Sequence, residues 1–269
     1  MQEIIHTVIE VGLEKPIRLL QITDVHLTAY SEDDPEDQQA LLRRRYGDFR
    51  RSGGEPPLDP VDYFREAIAM AEEMGALLVI TGDVIDLHSA GNVALFRSII
   101  EGHDLMFSPG GHEYQRICRR TMEEEGDYAE TMRRKLSEEF PEFDLDFESR
   151  ILGGVNIITA NNSLDYYNAY TVERFFEELE RGLPIIVFSH DPLNDKLMGL
   201  TESYHPNVKL TPEEYRISNR MRDALLHDPR VITTFSGHWH RQEDAEIEGK
   251  MHYVTPGLYR GICRVIEIR

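Results

Sequence analysis

Residues 18–26 read RLLQITDVH, a short apolar run that ends in an acid and a histidine. The same pattern recurs along the chain, where similar runs end in Gly-Asp, Gly-Gly-His, Asn-Asn, Ser-His or Gly-His, at residues 77–83, 105–112, 155–162, 185–190 and 231–238. Runs this short, rich in β-branched residues and bounded by Gly or polar residues, are typical of buried strands. The sequence therefore predicts at least six strands, each ending in a polar turn.

Helical signals lie between several of these strands. Asp59-Pro60 marks a helix start and Gly75 its end, while Thr211 opens a capping box before the segment that ends at His227. A third helix is expected to be capped by Thr171 and closed by Gly182. Strands that alternate with helices indicate an α/β fold with a substantially parallel sheet.

The remaining segments differ from this pattern. Ile4–Glu10 has the features of an edge strand, and the breaks at Gly249 and Pro256-Gly257 suggest that Ala245–Ile268 forms a meander. Residues 31–58 are polar and rich in Pro and Gly, and residues 113–146 are helical but heavily charged. We interpret both as surface insertions, forming a rim or a lid, within one domain that spans residues 1–269.

The composition excludes several classes of function. The 269 residues include 29 Lys+Arg against 49 Asp+Glu, so the formal net charge is −20. Such acidity disfavours a stable nucleic-acid partner or binding to an anionic membrane. No run approaches the length of a membrane span, and the start lacks the basic, apolar character of a signal peptide. With only two cysteines, we expect a cytoplasmic protein.

Seven imidazoles and carboxylates follow the predicted strands: Asp24, His26, Asp83, His112, His190, His238 and His240. Because strand ends converge at one crevice in an open α/β sheet, we expect these side chains to meet. At extended spacing Asp24 and His26 share one side of the chain, as do His238 and His240. Nitrogen and oxygen ligands without thiolate suit Mn, Fe or Zn. The number of ligands exceeds one tetrahedral site and suggests two metals about 3.5–4 Å apart.

Each motif alone has an ordinary structural explanation. Asp-x-His is a weak signal, and Gly-Asp after a strand is a common turn. The metal prediction depends on the occurrence of all these motifs together, in this order and each directly after a predicted strand.

The ordered blocks Asp24-Val-His26, Gly82-Asp83-Val-Ile-Asp86, Gly110-Gly111-His112-Glu113, Ser189-His190 and Gly237-His238-Trp-His240 resemble those of the calcineurin-like metallophosphoesterase family. The resemblance implies two facing mixed β-sheets flanked by helices, with a dinuclear site at the strand ends. It implies that Asp24, His26 and His240 hold one metal, that His190 and His238 hold the other, and that Asp83 bridges both.

The resemblance also implies a mechanism. A hydroxide that bridges the metals would attack phosphorus, since bound cations lower the pKa of water. His112 would protonate the leaving oxygen as general acid, and Asp86 would orient His112. For Asp86, an ordinary turn acid or a helix N-cap is the alternative interpretation.

One position departs from the family pattern. The family block normally has Asn where this chain has Gly111, and that Asn binds the second metal. The second site is therefore expected to be weaker unless a neighbour compensates, with Glu113, Asn161 and Asn162 as candidates. Two alternatives follow: a catalytically weakened protein that binds metal and a phosphorylated ligand, or a hydrolase with one metal.

Substrate contacts are less constrained by the sequence. Arg43 and Arg45 belong to an arginine-rich stretch after the Asp-Val-His block, and Arg260 follows the last block closely. Each could meet phosphate, although a solvated helix face and a plain turn are the simpler interpretations. Leu87 stands where the protein Ser/Thr phosphatase branch has Arg. A small phosphorylated substrate is therefore expected, either a phosphomonoester or a phosphodiester.

Overall fold

The computed structural model describes residues 1–52, 59–116, 127–193 and 210–269. Within these ranges the chain forms eleven strands, arranged in a sheet of five and a sheet of six. The strands are β1 (Glu3–Ile9), β2 (Ile17–Ile22), β3 (Leu77–Thr81), β4 (Leu105–Ser108), β5 (Phe147–Leu152), β6 (Val155–Ala160), β7 (Ile185–Phe188), β8 (Val231–Ser236), β9 (Ala245–Ile247), β10 (Lys250–Val254) and β11 (Ile262–Ile268).

The first sheet has the strand order β1-β11-β2-β3-β4. Its strands β2, β3 and β4 are parallel, and Ile22, Ile80 and Phe107 lie in register across them. The second sheet has the order β5-β6-β7-β8-β10-β9, with β6, β7, β8 and β10 parallel. The parallel strands place the turns that follow them side by side in each sheet.

The C-terminal meander expected from the sequence is wrong. β9 and β10 pair as an antiparallel hairpin in the second sheet, but β11 lies in the first sheet. There β11 pairs parallel to the edge strand β1 and antiparallel to β2. Strand β11 is buried because its apolar residues fill a place between two strands of distant sequence, which local turn signals cannot reveal.

Six α-helices cover the sheets within the described ranges: α1 (Glu36–Ser52), α2 (Pro60–Met74), α3 (Ala90–Ile100), α4 (Tyr128–Glu139), α5 (Ala169–Leu179) and α6 (Pro212–His227). Asp59 caps α2, and Thr211 with Glu214 forms the capping box of α6, as the sequence predicts. The cap of α5 was assigned wrongly. Asn168 accepts the N–H of Thr171, whose own hydroxyl donates to the Asp146 carbonyl.

Successive side chains of a strand point to opposite faces of its sheet, and the apolar ones form three layers. Leu19 and Val79 of the first sheet pack against Ile186 and Phe235 of the second, between the two sheets. The outer face of the first sheet packs on α2, α3 and α4, and the outer face of the second on α5 and α6. The predicted α/β fold with two mixed sheets flanked by helices is confirmed.

The two predicted insertions each contain a helix. α1 lies within the 31–58 segment, of which residues 53–58 are outside the described residues. α4 lies within the 113–146 segment, of which residues 117–126 are outside them. Despite its charge, α4 buries Met132 and Leu136 against the first sheet, so it contributes to the core. Across the described ranges, no helix combines the length and apolarity that a bilayer crossing requires.

Candidate metal centre

Four of the strand-end side chains form a first group. Ligand atoms of Asp24, His26, Asp83 and His240 all lie within 4.8 Å of one another. The Nε2 atoms of His26 and His240 are 3.0 Å apart, and Asp24 Oδ1 lies 3.1 Å from His240 Nε2. These residues follow β2, β3 and β8, so both sheets contribute to the group.

A second group consists of Asp83, His190 and His238. His190 Nε2 lies 3.3 Å from Asp83 Oδ2 and 3.1 Å from His238 Nδ1. Asp83 belongs to both groups and stands between them. The six residues predicted as metal ligands are therefore brought together as two neighbouring groups that share one carboxylate.

The donor atoms fit divalent cations. His190 Nδ1–H donates to the Thr81 carbonyl at 2.8 Å, so Nε2 is the nitrogen that faces Asp83 and His238 and that would bind a cation once deprotonated. Asp24 Oδ1 is buried without a hydrogen-bond partner among the described residues. An unpartnered buried carboxylate oxygen and facing imidazole nitrogens are unfavourable together unless a cation lies between them.

The backbone at these positions is not extended, which corrects the reasoning from the sequence. Positive φ angles occur at Asp24 (50°), His26 (52°), Asp83 (51°), His238 (71°) and His240 (53°). The left-handed region is costly for residues with a Cβ and persists where the surrounding structure imposes it. The tight turns place Asp24 and His26 in one group, whereas His238 and His240, predicted to share one side, lie in different groups.

Two glycines allow the turns to approach each other. A Cβ at Gly237 would overlap the Thr23 hydroxyl and lie 2.7 Å from Asp24 Oδ2. A Cβ at Gly82, whose φ is 83°, would lie 2.6 Å from His190 Nδ1. Glycine at both places therefore brings the end of β8 to the end of β2, and the end of β3 to the end of β7.

The charges of the clustered carboxylates and imidazoles shift one another's pKa values. Burial raises the pKa of Asp24, but the close contact of its Oδ1 with His240 and the charges of His240 and His190 outweigh this and lower it to about 2. Burial likewise opposes ionisation of Asp83, yet the charges of His190 and His112 hold its pKa well below the usual range. Burial lowers the pKa of His190, and the charge of Asp83 raises it well above the usual range. The carboxylates are thus ionised at neutral pH.

His112 and Asp86 lie beside the two groups. His112 Nδ1 is 2.5 Å from the Asp86 carbonyl oxygen and 3.3 Å from its Oδ1, so Nδ1–H is a donor. His112 Nε2 lies 3.9 Å from Asp83 Oδ2. Burial lowers the pKa of His112, but the charge of Asp83 and the contacts with Asp86 raise it to about 10. The ring is therefore protonated on both nitrogens at neutral pH.

Helix α1 lies over this side of the site. Arg45 forms a bidentate ion pair with Asp86, with Nη2 2.6 Å from Oδ1. The ring of Phe49 stacks on His26 with centroids 4.2 Å apart and an interplanar angle of 6°. The sequence interpretation missed Phe49, and the only signal is its spacing of one helical turn from Arg45.

The other two arginines predicted for substrate contact residues that are not predicted metal ligands. Arg43 Nη2 bonds Gln39, and its guanidinium lies over the Tyr30 ring. Arg260 Nε donates to the Tyr259 hydroxyl, which in turn lies 3.2 Å from His240 Nδ1. Arg260 is therefore one side chain removed from a predicted ligand.

The chain is similar to known proteins in its sequence pattern and in its fold. The family model described as calcineurin-like phosphoesterase matches residues 17–242. A dimetal phosphatase from Danio rerio has a TM-score of 0.52 at 13% identity, covering 91% of this chain and 88% of that chain. A phosphopantetheinyl hydrolase from Mycobacterium tuberculosis has a TM-score of 0.45 at 13% identity, covering 89% of each chain. No curated protein matches the sequence. At such identity the first structural likeness shows the fold alone.

Proposed function

Since the chain belongs to the calcineurin-like phosphoesterase family, we propose that it hydrolyses a phosphomonoester or phosphodiester using two divalent cations. The observation that carries this proposal is the pair of His/Asp groups that share Asp83. Asp24, His26 and His240 would hold one cation and His190 and His238 the other, with Asp83, which belongs to both groups, as their shared residue. When bound, the cations supply an activated water and stabilise the charge on the phosphoryl oxygens.

His112 is the proposed proton donor. Its Nδ1–H is fixed on the Asp86 carbonyl, so the Nε2 proton is the one that can pass to a leaving oxygen. The side chain is 23% exposed, which leaves this edge accessible to a substrate. Asp86 is a positioning residue, because its Oδ1 lies beside His112 Nδ1 and stabilises the charged ring.

The charge balance favours a small substrate. The chain carries a net charge of −20, and three carboxylates, Asp24, Asp83 and Asp86, are buried at the site. A phosphate group is therefore attracted by the bound cations and by local arginines rather than by the protein as a whole. Of the three candidate arginines, Arg45 pairs with Asp86, so binding of substrate phosphate by it would compete with Asp86.

Reconstitution tests the proposed function. Protein depleted of metal with a chelator is reloaded with Mn²⁺ and assayed on p-nitrophenyl phosphate and bis(p-nitrophenyl) phosphate. We expect activity only after reloading, and loss of at least two orders of magnitude in Asp83→Asn. Asp104→Asn is the matched control, since that side chain is 83% exposed and pairs with Arg150. Full activity of the depleted protein or of Asp83→Asn would contradict the proposal.

A further inference from the structure

Gly111 leaves the second group with three residues where the first has four. The backbone does not forbid a side chain there. A Cβ at Gly111 would have the Ser163 carbonyl oxygen at 3.6 Å and Gln115 Nε2 at 3.9 Å as its nearest neighbours, which is ordinary van der Waals contact. The backbone therefore leaves room for a Cβ at this position, and the side-chain oxygen that asparagine supplies in the family is missing from this chain.

The three neighbours considered from the sequence are engaged in other bonds. The carboxylate of Glu113 accepts four backbone N–H groups, those of Asp83, Val84, Ile85 and Gly110. The Asn161 amide oxygen accepts both the N–H and the hydroxyl of Ser163. The Asn162 amide oxygen accepts the N–H of Asp191. Each of these side chains holds the loops in place and is committed to that role.

Asp191 has a different environment. It is 6% exposed and directly follows His190. Its Oδ1 lies 3.3 Å from His238 Nδ1, the atom that faces His190 Nε2 at 3.1 Å. Two ligands of one cation, each at about 2.1 Å, lie roughly 3.0–3.4 Å apart. The Asp191–His238 separation matches this, although Asp191 lies outside the set whose ligand atoms are all within 4.8 Å of one another, so its carboxylate would approach the cation from the His238 side. Asp191 Oδ2 is buried with no hydrogen-bond partner among the described residues.

The backbone of Asp191 is held firmly. Asn162 accepts its N–H at 3.0 Å and donates to its carbonyl at 2.9 Å, so one side chain clamps both peptide groups. With its backbone fixed, the Asp191 carboxylate lies beside His238, 3.3 Å from Nδ1. A buried carboxylate with one unpaired oxygen costs free energy unless a cation compensates it.

We infer that Asp191 supplies the oxygen that Gly111 lacks and retains the second cation at His190 and His238. This inference rests on the proposed function, because it assumes that two cations bind at the strand ends. It replaces the neutral amide of the family with an anionic oxygen from the other sheet. The second site is therefore not weakened by Gly111, in contrast to the expectation from the sequence.

Binding of Mn²⁺ to the full chain tests this assignment. Titration calorimetry and equilibrium dialysis give the number of ions and their affinities, and electron paramagnetic resonance detects coupled pairs of ions. We expect two tight ions in the wild type. Asp191→Ala should bind one ion tightly and the other with at least tenfold lower affinity, and the resonance signal of the coupled pair should be lost. Unchanged affinities and an unchanged coupled signal in Asp191→Ala would overturn the inference.

A rescue distinguishes ligation from a structural effect. Gly111→Asn combined with Asp191→Ala should restore the second ion, because the amide then fills the family position; failure of the restoration in a folded double variant would count against the inference. Asp165→Asn is the matched control, since it removes a neighbouring acidic charge and should leave both affinities within about twofold. If Asp191→Ala folds poorly, Asp191→Asn keeps the shape and should weaken the second ion by a smaller factor; unchanged binding there would overturn the assignment.

The two proposals fail in different ways. If the wild type binds Mn²⁺ in neither group and hydrolyses neither nitrophenyl ester, the proposed function is wrong. If the wild type binds two ions and is active while Asp191→Ala does the same, only the role of Asp191 is wrong.

Discussion

The guanidinium of Arg45 donates hydrogen bonds to both carboxylate oxygens of Asp86, and the same carboxylate contacts His112. Burial opposes ionisation of Asp86, but the bonds from Arg45, His112 and His26 hold its pKa far below the usual range. Arg45 is 20% exposed and Asp86 is fully buried, so the ion pair is largely desolvated. Helix α1 is thus attached to the site through the carboxylate that positions the proposed proton donor.

Arg45→Gln should release α1 from the site. Removing one partner of a desolvated pair leaves a buried charge, which costs up to about 3 kcal/mol. Hydrogen exchange of the amides in Glu36–Ser52 should accelerate by more than tenfold. Arg43→Gln is the control, because Arg43 contacts Gln39 and the Tyr30 ring instead. Equal protection of α1 in both variants would show that the ion pair does not hold the helix.

His112→Asn should reduce kcat by a factor that depends on the leaving group of the substrate. An alkyl phosphate requires a proton on its departing oxygen, so we expect a loss of roughly 10²–10⁴-fold. A p-nitrophenyl ester departs readily as an anion and should lose far less. Steady-state kinetics on both substrates provide the comparison, with His103→Asn, a surface histidine paired with Glu72, as control. Equal losses on the two substrates would argue against a proton donor.

Phosphate binding should require the metals. Without cations, the buried carboxylates of Asp24, Asp83 and Asp86 face an incoming anion and repel it. Calorimetry with inorganic phosphate should therefore detect binding to the Mn²⁺-loaded protein and none to the chelated protein at the same ionic strength. Comparable affinity in both forms would mean that arginines, rather than cations, recognise phosphate.

The free energy of unfolding should decrease in mild acid because of His252. The side chain is buried 2.7 Å from the Thr234 hydroxyl, and burial together with the charge of Lys250 lowers its pKa from 6.5 to about 4. Between these values the unfolded chain binds a proton that the folded chain does not, so stability declines as the pH falls from 6.5 to 4. The loss amounts to about 3 kcal/mol in full.

Urea unfolding of chelated protein at several pH values measures this decline. His252→Gln should be less stable overall but should lack this component of the pH dependence. His227→Gln, which changes an exposed histidine at the end of α6, should retain it. Parallel pH curves for the wild type and His252→Gln would contradict the assignment.

Gly237→Ala should disturb the junction between the sheets. The added methyl would overlap the Thr23 hydroxyl, so either β2 or β8 must shift, at a cost of roughly 1–3 kcal/mol. Thermal unfolding with and without Mn²⁺ should show a lower Tm and a smaller stabilisation by the metal. Gly111→Ala makes the same chemical change where there is space, and its Tm should change little. Similar Tm losses in the two variants would contradict the steric argument.

The meeting of the strand-end side chains could be predicted from the sequence, whereas part of the topology could not. Each predicted ligand follows a buried strand, and parallel pairing brings the ligands of one sheet together, as the turns after β2 and β3 illustrate. The place of β11 depends on pairing with β1 and β2 at the other end of the chain, and no local signal encodes it. The left-handed turns at Asp24 and His238 are imposed by the surrounding structure, so the extended spacing expected from the sequence does not apply, and His238 and His240 lie in different groups rather than on one side.

The contacts of individual side chains are even harder to predict from the sequence. Arg45 was predicted to meet phosphate, which stays a prediction, and its bond to Asp86 depends on how α1 lies against the first sheet. Asp191 stood next to a predicted ligand but carried no motif of its own. Its relevance emerges only from its distance to His238, a residue of another strand end.

The central claim is that the strand ends hold two cations that share Asp83. Anomalous diffraction from crystals of the protein soaked in Mn²⁺ measures this directly. We predict two peaks about 3.5–4 Å apart, one among Asp24, His26 and His240 and the other between His190 and His238, with Asp83 between them. A single peak, or peaks away from these residues, would contradict the account.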